Sequence, residues 1–388
     1  MLLSGYEAEL QRIERDIADL SVDDPFAGPI NAERATRYLY LLHQRASVSG
    51  DLVQLSAVAR AIERAVPLLS HPGDLYLLKA NVAFKLHRLA DVESALLAIP
   101  TGGHCMEGRL LRADLDFQYG RYREADTGYI EAIEAERSWS GLARLAYFRG
   151  KMGDLESAGR LYREAQDVLT AKEMRSYAWL EVQRGFLAFS RGAYPDARSH
   201  YQIAEAAYPG YWLVDEYQAE LLGAEARHAE AIELFQRLVA ANDRPDLLQA
   251  IAELYEIIEQ PEAARYWQGR ALAGYLQSVQ RGEVHYYHHL TDYYADVAKD
   301  AEAAVTWARA DLQLRENFAT QSALAWALYR NAELEEARSW IDRALASGVV
   351  DAHLLLRAAK IYAGAGGQHF LQHAKQLNPF VERFHMHH

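Results

Sequence analysis

Apolar positions along this chain recur three and four residues apart, the spacing that lays them on one face of an α-helix. Leu142, Leu145 and Ala146 form one such stripe, and a fixed pattern follows it. The pattern reads Gly120, Tyr122, Ala125, Tyr129, Ala132; then Gly153, Leu155, Ala158, Tyr162, Ala165; then Gly192, Tyr194, Ala197, Tyr201, Ala204. The same frame continues at Ala231 with Phe235, Ala263 with Trp267, Ala303 with Trp307, and Ala337 with Ile341 and Ala344. Worn copies centre on Ala57 and on Val92 with Leu96, so successive anchors lie 32 to 40 residues apart. A shortened copy ends at Ala374 and Pro379, and the longest spacings place insertions ahead of Gly192 and around Gln277 to Glu283. A period of this length marks stacked supersecondary units rather than one globular core.

Each copy predicts a helical hairpin. A Gly at the turn can take the left-handed conformation that ends the first helix. The small Ala lets two antiparallel helices approach closely, and the aromatic one turn later fills the space toward the next copy. This arrangement resembles the tetratricopeptide (TPR) repeat over roughly residues 32 to 379. The first helices depart from it, since only Gly185 keeps the Gly expected there, and the closing Pro stands only at Pro100, Pro209 and Pro379. The resemblance implies an all-α, right-handed α-solenoid (superhelix) of about nine to ten TPR-like hairpins. Residues 1–30 read as an N-terminal capping helix and a break at Asp23 to Pro29. Residues 31–379 read as one continuous array with Asn31 as its first N-cap, and 380–388 as a His-rich tail.

In such an array the first helix of each hairpin lines a concave groove. That implication places Asn81, Lys85, Asp114, Gln118, Tyr147, Lys151, Trp179, Phe186, Phe189, Glu216, Glu220, Tyr255, Glu256, Trp326, Tyr329 and Arg330 on the inward face. Aromatic and Arg side chains there are what binding hot spots use. The positions of a terminal-carboxylate clamp hold Leu77, Asn81, Leu111, Ser140 and Arg144, so that clamp is not expected. The expected function is a non-enzymatic interaction scaffold or adaptor that takes a peptide or a partner-protein segment in the groove.

Composition narrows the partner. A formal charge of −13 and the lack of a Lys/Arg block argue against nucleic acid. No phosphate loop, nucleophile elbow or His-Glu-x-x-His motif occurs, which argues against an enzyme. The lone Cys105 rules out an internal disulfide, and beside His104 it reads as a small residue at a helix start rather than a nucleophile. Met1 to Leu20 lacks a basic and then apolar signal, and no apolar run could span a bilayer, so a cytoplasmic protein without membrane insertion is expected. Oligomeric state is open.

One stretch supports a second reading. His285, His288, His289 and Asp292 fall at i, i+3, i+4 and i+7, one helical face directed at the groove. Such a set can ligate Zn²⁺ or a similar divalent metal, and would make the chain a metal-binding protein or a metal-dependent enzyme. A second cluster, His385, His387 and His388, closes the sequence. Against this, His and Tyr on a groove are ordinary peptide-binding residues, in which case no cofactor is needed.

Overall fold

The computed structural model describes residues 4–21, 25–26, 31–69, 73–99 and 105–385. Pro100, His104, His387, His388 and most of the break before Asn31 lie outside them. Among the described residues all regular structure is helical, and it forms an α-solenoid of TPR-like hairpins. Helix α1 (Gly5–Leu20) precedes ten hairpins. They are α2/α3 (Ala32–Ser49, Leu52–Ala65), α4/α5 (Gly73–Lys85, Leu89–Ala98), α6/α7 (Met106–Gln118, Tyr122–Ala135) and α8/α9 (Trp139–Lys151, Leu155–Val168). Next come α10/α11 (Met174–Phe189, Tyr194–Ala207), α12/α13 (Trp212–Ala224, His228–Ala241) and α14/α15 (Pro245–Ile257, Pro261–Gln280). The last are α16/α17 (Tyr287–Asp292, Ala301–Leu314), α18/α19 (Phe318–Arg330, Leu334–Ala346) and α20/α21 (Ala352–Tyr362, Gly364–Leu377). A π-helical turn, Tyr293–Val297, extends α16.

The hairpin turn is more uniform than the sequence suggests. Gly50, Gly120, Gly153 and Gly192 have positive φ as expected, but His87, Ala226, Glu259, Lys299 and Ala332 hold the same left-handed conformation without being glycine. A left-handed non-Gly residue costs roughly 1–2 kcal/mol, so hairpin packing imposes the turn and glycine only relieves it. Counting five residues on from each of these positions gives Leu55, Val92, Ala125, Ala158, Ala197, Ala231, Ala264, Ala304 and Ala337, all buried. This corrects three anchors: Ala57 is exposed, and Ala263 and Ala303 are only half-buried. At the corrected frame Trp267 and Trp307 leave the aromatic position to Gln268 and Ala308. In α17 the closing small residue is Asp311, a carboxylate that is 3 % exposed.

The chain packs as two compact units. The first comprises residues 1–116, 123–137 and 208–211; the second comprises 117–122, 138–207 and 212–388. In the first, Ser4 and Glu7 form a capping box that starts α1, and Ile13 and Ile17 pack on Leu41 and Val48. The Arg34 guanidinium donates to the Leu20 carbonyl at 2.8 Å and satisfies the end of α1. Asn31 caps α2 through Arg34 N–H at 2.9 Å, as its position predicts. Leu39, Ile62, Leu75 and Leu78 form the core beyond.

In the second unit the later hairpins return onto the turns of the earlier ones. Asn317 Nδ2 donates to the Gln118 carbonyl at 2.8 Å, and Phe318 N–H donates to the Tyr122 hydroxyl at 2.9 Å. Val350 N–H donates to the Lys151 carbonyl at 2.9 Å. Arg383 reaches the Ala224 carbonyl at 3.2 Å. The turn glycines serve twice here, because a Cβ at Gly120 would sit 2.7 Å from the Glu316 carbonyl and one at Gly153 would sit 2.8 Å from Val350. The groove of this unit is therefore closed over by its own chain.

Candidate functional site

Closure leaves a partly enclosed chamber of about 430 Å³ in the second unit. Of the groove positions expected from the repeat frame, Gln118, Tyr147, Lys151, Phe186, Phe189, Glu220 and Trp326 line it. They come from the ends or inner faces of α6, α8, α10, α12 and α18, and the returning segments supply the opposite wall: Phe318, Asp351, His353, Arg357, Lys360 and Phe380 among them.

Lys151 organises one side. Its ammonium lies 5.7 Å from the Tyr147 ring centre and 6.0 Å from those of Phe186 and Phe318, with Asp351 3.6 Å away. Burial alone would lower the pKa of this lysine, but Tyr147 and Asp351 outweigh it and leave it raised. Burial likewise pushes Asp351 up, while Lys151, His353 and the N–H groups at the start of α20 hold it below the usual carboxylate range. Asp351 caps α20 through His353 N–H at 2.9 Å and Leu354 N–H at 3.0 Å, so one carboxylate joins a helix start to the cation across the chamber. The imidazoles of His353 and His385 stack at 3.8 Å. Burial first, and then the neighbouring ring, push His353 down to about 3. Opposite, the Trp326 Nε1 donates to Asp296 at 2.8 Å, and Lys360 lies 5.4 Å over the Trp326 ring.

The remaining expected groove residues do other work. In the first unit Asn81 donates to the Leu77 carbonyl of its own helix at 3.1 Å, Lys85 donates to Ser47 at 2.8 Å, and buried Asp114 accepts from the Tyr129 hydroxyl at 2.7 Å. In the second, Trp179 packs edge-on against Trp139, Glu216 is buried against Arg244 at 2.7 Å, and Tyr255 accepts from Gln236 at 3.4 Å. Glu256 accepts from Gln268 at 2.6 Å, Tyr329 stacks on Trp326, and Arg330 donates to the Ala295 carbonyl at 3.1 Å.

The His-rich stretch does not gather into one donor set. His285 lies in the turn before α16 and not on its face, against the Tyr286 ring at 4.3 Å. His289 lies among Tyr275 and Tyr286, where burial pushes it down to about 4. His288 lines the chamber, 3.4 Å from Asp292 and 3.9 Å from Asp311. Asp292 pairs with Arg357 at 2.8 Å, and Asp311 takes Arg315 through both oxygens at 3.0 and 3.2 Å. Among the described residues no group of three or more His, Cys, Asp or Glu side chains is placed to hold a metal ion. The residues that sequence reading missed lie on α17, at the start of α18, on α20, on inter-hairpin loops and after α21. One signal was available: a carboxylate, Asp311, at a position the repeat reserves for a small residue. Cys105 is exposed just before α6, as a helix-start residue would be.

No family model and no curated protein matches this chain in sequence. Many solved chains are similar in shape, and two serve as examples. The Pseudomonas aeruginosa PilF structure is 18% identical and covers 56% of this chain and 95% of its own, with a TM-score of 0.38. The human IFIT1 dimer with m7Gppp-AAAA is 14% identical and covers 88% of this chain and 77% of its own, with a TM-score of 0.49. No helix among the described residues is long and apolar enough to cross a membrane.

Proposed function

We propose that this chain is a non-catalytic interaction scaffold whose binding site is the chamber of the second unit, and that its ligand is the end or tip of a partner-protein segment. The observation that supports this is convergence: seven side chains expected to face a groove line one cavity. Its volume falls in the ligand-pocket range, roughly 300–1,000 Å³, which admits a short stretch of chain and not a helix laid along an open groove. The polar groups around it are engaged in holding the walls together, Asp351 on Lys151 and on α20, Asp296 on Trp326, and His353 on His385. Aromatic rings and the exposed Lys360 ammonium over Trp326 are the groups that face a ligand.

Affinity capture followed by mass spectrometry tests this with a Tyr147→Ala/Lys360→Glu variant, since both side chains are exposed at the chamber. A partner held by wild type and by Glu256→Ala, but lost from the chamber variant, is the expected result. Equal retention by the folded chamber variant would sink the reading.

A further inference from the structure

The segment after α21 is seated on helices that precede it by more than a hundred residues. Asn378 turns the chain by accepting from Phe380 N–H at 2.9 Å, and Val381 packs on its own hairpin with Ala352, Leu355 and Ala374. The flanking side chains point away, onto α10–α13. Phe380 stacks on Tyr194 at 5.0 Å and 28°, and Tyr194 stacks on Phe189 at 5.5 Å and 23°. Phe384 lies over Gly223 and edge-on to Phe235 at 6.4 Å. Arg383 donates to the Ala224 carbonyl, the last of α12.

Gly223 shows that the site is shaped for a ring. It lies inside α12 without positive φ, where Ala would favour the helix by about 1 kcal/mol. A Cβ there would sit 2.4 Å from the Phe384 ring, so the missing side chain is accounted for by what rests on it. Gly192 repeats the device, with a Cβ position 2.8 Å from Asn378 Oδ1 and 3.0 Å from the Phe380 ring. Two receptor spots thus accept two aromatic side chains four residues apart, with a cation one residue before the second. The occupant is irregular chain, and Asn378, Phe380, Arg383, Phe384 and His385 also form part of the chamber wall.

We propose that residues 378–385 are a built-in ligand: they occupy a docking site on α10–α13 for segments with two aromatic side chains four apart, and a partner segment of that spacing enters the chamber by displacing them. This deepens the chamber reading and rests on it. A tethered segment competes at an effective concentration on the order of millimolar, and a partner's apparent affinity falls by the fraction of chains in which the site is open.

The test uses the full chain and a fluorescent synthetic peptide of residues 376–385. Wild type should bind it weakly, and Phe380→Ala/Phe384→Ala at least tenfold more tightly. Adding Gly223→Ala to that variant should abolish binding, as should replacing both phenylalanines in the peptide. A folded double variant that ignores the peptide overturns the proposal. If the double variant does not fold, hydrogen exchange of residues 378–385 in wild type decides: acceleration by millimolar peptide supports displacement, and unchanged exchange overturns it. Peptide docking together with full partner capture by Tyr147→Ala/Lys360→Glu would uphold the docking site and remove the chamber reading. Partner capture lost from that variant, without peptide docking, would do the reverse.

Discussion

The two units use one repeat frame to different ends. In the first, the inward positions are satisfied locally: Asn81 on its own helix, Lys85 on Ser47, Asp114 on Tyr129. In the second, equivalent positions such as Tyr147, Lys151 and Phe186 face side chains contributed from residues 318 to 385. The frame decides which way a side chain points. Whether that direction leads to a site depends on what the chain later places opposite.

Packing at glycine should separate the units most. A Cβ at Gly185 would sit 2.2 Å from the fully buried Tyr201 ring, whereas one at Gly128 in the first unit would sit 3.1 Å from Ala113 Cβ. Gly185→Ala should lower stability by about 3 kcal/mol through overpacking. Gly128→Ala should stay within about 1 kcal/mol of wild type, because helix propensity offsets the tighter contact. Denaturant melts of the two variants compare them, and equal losses would remove the contrast.

Titration should come next. Burial pushes His289 down to about 4 and His353 to about 3. A depressed imidazole binds its proton more readily when unfolded, so the second unit should lose stability as pH falls from about 6.5 toward 4. Burial pushes Glu253 up to about 7. That group favours the folded state at low pH, and its contribution is lost as pH rises from about 4.5 to 7, partly masking the histidines. Glu253→Gln should therefore raise stability at pH 8 by about 2 kcal/mol and steepen the loss on the acid side. A stability–pH curve for the variant that parallels wild type would contradict this.

Smaller effects should sharpen the picture. Lys151→Met leaves Asp351 without its cation and should cost about 1–2 kcal/mol, while Lys85→Met, which removes an exposed hydrogen bond, should cost less than about 0.5 kcal/mol. Thermal melts of the pair read the difference. Glu256→Ala, on an exposed expected groove position outside the chamber, should change stability by less than about 0.5 kcal/mol and leave partner capture intact. Weakened capture by that variant would extend the site beyond the chamber.

Much of the architecture was legible because helical hairpins are local. Period, close-packing Ala and aromatic filler were readable, and Asn31 was placed as a cap from residue type and position alone. The errors were also local. Ala263 and Ala303 were read one residue early because Glu259 and Lys299 do not look like turn residues, yet adopt the turn conformation. His285 was assigned to a helix face because periodicity does not reveal where a six-residue helix begins.

The site was legible by halves. Tyr147, Lys151, Phe186 and Trp326 carried their inward direction in the repeat frame, since 3.6-residue periodicity sets orientation over short distances. Asp351, His353, Phe380 and Phe384 carried no such sign, because their meaning depends on residues 150 or more positions earlier. The sequence by itself determined the hairpins, their spacing and the face each side chain takes, all of which are decided within one or two helical turns. Only the tertiary structure decided that the later hairpins return onto the turns of the earlier ones. Contacts such as Val350 on Lys151 and Phe384 on Gly223 follow from the summed rotation of many stacked pairs, and no single repeat encodes that sum.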